Sequence, residues 1–123
     1  MLESIVALLN ERLPGAVLRS EAVADDDRLW LDRAHLLEAA RLLKHEPACD
    51  FKLLVDLSAV DYMGEAERFE LVVQLFSLTH NARLRLKVRV PEGEELPSLT
   101  AVWRGAEPLE REVFDMFGIR FAD

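Results

Sequence analysis

Residues 83 to 90 read RLRLKVRV, so Leu84, Leu86, Val88 and Val90 alternate strictly with Arg83, Arg85, Lys87 and Arg89. Side chains of an extended strand point alternately to opposite faces, which gives this segment one apolar face and one face carrying four cations. A chain that holds such a segment must build a sheet and cover one side of it. Residues 51 to 62 and 69 to 79 supply two more strands, and turns at Gly64 and at His80-Asn81 set the three in a meander. The middle strand, FELVVQLFSL, is apolar at both parities, as suits a strand covered on both sides or lying at the centre of the sheet.

The cover is predicted to be helical. Leu2, Ile5, Val6, Leu9 and Leu13 fall on one face of a helix over residues 2 to 13, which Pro14-Gly15 ends. Residues 16 to 23 and 28 to 32, divided by Asp25-Asp26-Asp27, predict a hairpin with Trp30 directed into the core. Asp32 is placed to cap a second helix over 33 to 46, where Leu36, Leu37, Ala40 and Leu43 recur at helical spacing. PEGEELP, residues 91 to 97, reads as an acidic loop, and Ser98 as the cap of a short turn holding Leu99, Val102 and Trp103. A last helix follows, with Pro108 in its first turn and Gly118 as a left-handed cap. The order α-β-β-α-β-β-β-α, with helices segregated from a mainly antiparallel sheet, predicts an α+β fold, a two-layer sandwich with its helices on one face. At 123 residues, 50% of them apolar, the chain is expected to form a single domain over 1–123.

The same sequence argues against several chemistries. A net charge of −8 disfavours nucleic acid as the main partner, and no aromatic residues interleave with the cations of 83 to 90. Cys49 is alone, and His35, His45 and His80 are widely spaced, so no iron–sulfur or Cys/His zinc ligand set is present. The five glycines never fall into a dinucleotide or phosphate-binding loop. No apolar run reaches the length of a membrane span, and a cytosolic setting is the default. Asp56, Asp61 and Arg68 form a candidate acid/base group for a small stand-alone enzyme, although a chain this rich in carboxylates yields such groups by chance.

Two features raise the question of a partner. The cationic strand face is either solvated and paired with the protein's own acids or a docking face, running against the sign of the molecule as a whole. The terminal helix is denser still. Leu109, Val113, Met116 and Phe117 fall on one side; Glu107 to Arg111 and Arg111 to Asp115 have i,i+4 spacing; and Phe114, Phe117 and Phe121 crowd the same short stretch. That mixture of charge and aromatic area fits a protein interface better than a wet surface.

LEREVFDMFGIRF resembles the signature of the C-type subunit of proton-pumping NADH-quinone oxidoreductase, respiratory complex I, also found in related membrane-bound hydrogenase complexes. FKLLVDLSAVDY, RFELVVQLFSL, RLRLKVRV and LPSLTAVWRGAEPLERE follow in the family's order. The resemblance implies a non-catalytic peripheral-arm subunit with no cofactor or metal of its own. It would sit on the cytoplasmic side of the cell membrane without entering it. Its partners would be other peripheral-arm subunits, above all the large subunit that forms the quinone pocket; the alternative is the equivalent subunit of a hydrogenase-type complex. Glu110, Arg111, Glu112, Asp115, Phe117, Gly118 and Ile119 stand on the family's motif positions, and the expected subunit interface is Glu110, Arg111, Glu112, Phe114, Asp115, Phe117, Gly118 and Phe121. Position 108 is Pro where the family commonly has an aromatic residue. Family members usually continue past the Phe121 position, whereas this chain stops at Asp123, as expected of a shortened or naturally short form.

Overall fold

The computed structural model describes residues 1–122. The alternating segment forms strand β5 (Ala82–Val90), in which Leu84, Leu86, Val88 and Val90 are fully buried. It is the middle of five strands. On one side lie β4 (Phe69–Ser77) and then β3 (Leu53–Asp61); on the other lie β2 (Asp27–Leu31) and then β1 (Val17–Glu21). The meander and the hairpin are antiparallel, and β2 joins β5 in parallel, with Leu29 beside Leu86. On the covered face, Leu57, Val73 and Leu86 form one row across the sheet and Ala59, Leu71 and Val88 the next. Strand β4 therefore lies beside the centre, and β5 occupies it.

Helices α1 (Leu2–Arg12), α2 (Leu36–His45) and α3 (Ala106–Phe117) feed the same core. Leu2, Ile5 and Leu9 come from α1, Leu36, Ala39, Ala40 and Leu43 from α2, and Ala106 and Val113 from α3. Helix α1 packs on β1 and α2, while α3 lies along β3. Each fully buried leucine contributes about 1.5 to 3 kcal/mol, so the covered face dominates the fold's stability.

Three expectations change. Trp30 is half-buried and faces outward, because Leu29 and Leu31 take the inward parity of β2. Its ring is sandwiched by cations, with the Arg19 guanidinium 4.3 Å and Lys87 Nζ 5.3 Å from the centroid. Asp32 makes no cap bond. Its carboxylate lies 2.8 Å from His35 Nδ1, and a 3-10 turn (Arg33–His35) leads into α2. Ser98 caps its turn as expected, its hydroxyl oxygen accepting the Thr100 N–H at 3.2 Å, and it also binds α3. Inside the acidic loop, β6 (Glu95–Pro97) pairs in parallel with β7 (Arg120–Ala122), two strands the sequence did not announce.

The cationic face is largely self-neutralised. Arg85 reaches Asp26 at 3.1 Å and Gln74 at 3.1 Å, Lys87 lies 3.6 Å from the buried Glu70, and Arg89 binds Glu65 at 2.8 Å while covering the Tyr62 ring. These pairs favour internal neutralisation over a free docking stripe.

At the β3–β4 turn Arg68 donates from Nε and Nη2 to the two Asp61 oxygens, both at 2.8 Å. These bonds hold the Asp61 carboxyl below its ordinary value of 3.8. Asp50 is lowered in the same direction, first by the Thr79 hydroxyl. A carboxyl lowered on folding adds stability that is present above its unfolded pKa and is lost as pH falls through the folded one. Urea midpoints should therefore drop as pH falls below 3.8, and Asp61→Asn should flatten that drop.

Candidate functional site

The terminal helix starts after Gly105, and Pro108 lies among the first four positions, whose amides have no intrahelical acceptor. Ala106, Glu110 and Val113 form its buried stripe, flanked by the half-buried Leu109 and Phe117. Phe117 meets Phe69 edge to face, with centroids 6.1 Å apart.

A carboxylate in that stripe must be satisfied, since burying an unpaired charge is costly. Glu110, only 6% exposed, accepts the Ser98 hydroxyl at 2.7 Å on Oε1 and the Leu99 N–H at 2.7 Å on Oε2. The Ser98 hydroxyl oxygen accepts the Thr100 N–H at 3.2 Å, which tightens the same turn. Trp103 Nε1 donates to the Phe51 carbonyl at 3.1 Å, and Lys44 Nζ donates to the Val102 carbonyl. The 98–104 turn is thus held by α3, by the residues leading into β3 and by α2.

Beyond the helix, Gly118 takes φ +75°, and its N–H donates to the Phe114 carbonyl at 2.8 Å. The chain then buries Ile119 and runs into β7, where the Ala122 carbonyl accepts the Ser98 N–H at 2.7 Å. A Cβ at Gly118 would meet nothing within 4 Å, so only the left-handed backbone resists substitution. Gly118→Ala should lower stability by about 1 kcal/mol, read from urea unfolding.

Between α3 and the β6–β7 pair opens a groove of about 610 Å³, lined by Glu95, Ser98, Thr100, Arg111, Phe114, Arg120 and Phe121 among others. Phe114 is 48% exposed over it. Arg111 reaches Glu107 at 3.9 Å, not Asp115, and both partners are so exposed that the pair contributes little. Of the residues expected at an interface, Glu110, Arg111, Phe114 and Phe121 line this groove, and Glu112 and Asp115 are exposed on α3 without lining it. Phe117 packs inward and Gly118 shapes the helix end. Glu110 departs from the outward position expected of it: it is an internal clamp, turned in because it shares the Ala106 and Val113 side of α3. Met116, expected on the apolar side, is 67% exposed. Glu95 and Arg120 were not foreseen, and Ser98 was expected only as a cap; the distance in sequence between Ser98 and Glu110 hid their bond. Of the enzyme-like group, Asp61 and Arg68 are joined as an ion pair, and Asp56 is exposed on β3 away from the groove.

This arrangement defines an α+β domain with a mixed five-stranded sheet. A chain of the membrane-bound sulfane sulfur reductase, an archaeal respiratory membrane complex, shares the fold with a TM-score of 0.79 at 24% identity, over 97% of this chain and 69% of that one. The chain belongs to the family described as respiratory-chain NADH dehydrogenase, 30 Kd subunit, whose family model matches residues 29–123. It is 36% identical over 122 residues to the C-type subunit of NADH-quinone oxidoreductase from Hyphomonas neptunium, covering 99% of this chain and 60% of that protein. It is 40% identical over 120 residues to the same subunit from Xanthobacter autotrophicus, covering 98% and 57%. It is also 40% identical over 119 residues to that from a Roseiflexus species, covering 96% and 68%. The chain therefore spans about three fifths of the length of the first two of these relatives.

Proposed function

We propose that this chain serves as a non-catalytic peripheral-arm subunit of a proton-translocating NADH-quinone oxidoreductase, seated beside the subunit that forms the quinone pocket, on the cytoplasmic side of the membrane. The observation that carries the reading is its 36% to 40% identity, across almost its whole length, to proteins named as the C-type subunit of NADH-quinone oxidoreductase. Those names favour this reading over the equivalent place in a hydrogenase-type complex. No helix among the described residues is long and apolar enough to cross a membrane.

In this reading the outward side of α3 and the groove beside it form the docking surface. Phe114 supplies exposed apolar area, Arg111 an exposed cation, and Glu112 and Asp115 exposed carboxylates on the outward side of the helix. Glu110, Phe117 and Gly118 fix the helix on which those groups stand. The role is assembly: electrons pass through neighbouring subunits, and this one holds its partner in place. Pull-down with the quinone-pocket subunit should retain the wild-type chain, and Arg111→Glu should weaken retention about tenfold, the scale of one well-placed interface charge. Undiminished retention would remove α3 as the contact.

A further inference from the structure

We propose that the free edge of β3 is a strand-addition site, which takes an extended segment of a different polypeptide bearing apolar and basic side chains. Strand β3 ends the sheet order, and its ladder runs to β4 on one side only. Among the described residues no hydrogen bond from any other element reaches the backbone of residues 53 to 61. Such an edge offers a row of N–H and C=O groups, whose natural complement is another strand.

Side chains set the edge apart from its counterpart across the sheet. Strand β1 spans five residues, and its Arg19 is paired with Glu21 and stacked on Trp30. Strand β3 spans nine residues and leaves Leu53 44%, Val55 59% and Val60 40% exposed, with neither lysine nor proline to blunt it. Its one irregularity is a shift of register between Leu54 and Asp56, which leaves the run from Leu57 to Asp61 regular.

Charge selects the occupant. Asp61 is taken by Arg68, whereas Asp56 has no ion pair among the described residues. A second copy of this chain would bring its own Asp56 and a net charge of −8 to the same edge. Like charges across strands are destabilising, so a basic segment from another protein is favoured over self-pairing.

The test compares hydrogen exchange in the isolated full chain and in the purified membrane complex that contains it. It rests on the assembly reading above, and its outcomes separate the two. Alternate β3 amides should exchange freely in the isolated chain and slow by about a hundredfold or more in the complex. Asp56→Lys with Val60→Lys, both at exposed positions, should cut incorporation about tenfold at an unchanged melting temperature, while Asp56→Asn should cut it less. Slowing confined to α3 overturns strand addition and leaves the assembly reading standing. A chain that never enters the complex overturns both. Slowing at β3 that grows with concentration of the isolated chain identifies a second copy as the occupant and overturns the proposal.

Discussion

Glu110→Ala should lower the unfolding free energy by about 3 kcal/mol, measured from urea denaturation at neutral pH. The substitution removes both acceptors that hold the Ser98 hydroxyl and the Leu99 N–H, each at 2.7 Å. Leu99 is fully buried, so no water readily replaces the lost acceptor for its N–H. Its cost has a second part, the space vacated between α3 and the 98–104 turn. Glu110→Gln discriminates between the two. The amide oxygen can accept the Leu99 N–H while its NH₂ donates to Ser98 Oγ, so volume and both bonds are kept and only the charge is lost. About 1 kcal/mol is expected for that variant. Equal losses for Ala and Gln would show that the negative charge itself, not the bonds and the volume, holds the turn. Against a typical total of about 5 to 15 kcal/mol, the alanine variant is a large perturbation.

The core face was legible because period-two burial is a local property. Leu84, Leu86, Val88 and Val90 announce it within one segment, and the structure buries all four. The parallel joint of β2 to β5 was not legible, since it depends on which of two sheet fragments meets which edge, and neither segment carries a mark of its partner. Trp30 was misplaced by its size. Its parity was available, because Leu29 and Leu31 flank it and alternate against it, but a large aromatic residue attracts a core assignment unless parity is applied first.

The terminal helix shows the same limit from the opposite side. Its bounds followed from Pro108 and Gly118, which act locally, and the Phe114 and Arg111 surface followed from helical spacing. Glu110 did not, because a carboxylate is placed outside by default. Its position in register with Ala106 and Val113 outweighs that default only once Ser98 and Leu99 are folded beneath it. Strands β6 and β7 were hidden for a related reason: three residues of acidic or mixed composition carry no periodicity, and their pairing exists only after α3 has brought them side by side.

Trp103→Ala should cost about 4 kcal/mol, the largest single effect expected outside the sheet. Trp103 is 3% exposed, and its indole N–H donates to the Phe51 carbonyl across the core, so the variant loses apolar area and a buried hydrogen bond together. The consequences converge on the proposed docking groove. Trp103 anchors the same turn whose other end, Ser98 and Leu99, is clamped by Glu110. Loosening it frees the floor on which Phe114 and Arg111 stand. Trp103→Phe keeps most of the volume and removes only the donor, leaving the Phe51 carbonyl unpaired, and about 1 to 2 kcal/mol is expected. Fluorescence gives an independent reading, since Trp103 is buried and Trp30 is half-exposed between two cations. Trp103→Phe should delete the blue-shifted component and leave the red-shifted Trp30 emission. If Phe costs as much as Ala in urea, the indole bond outweighs the ring's packing, and the turn is held chiefly by its polar contacts to Phe51 and Glu110.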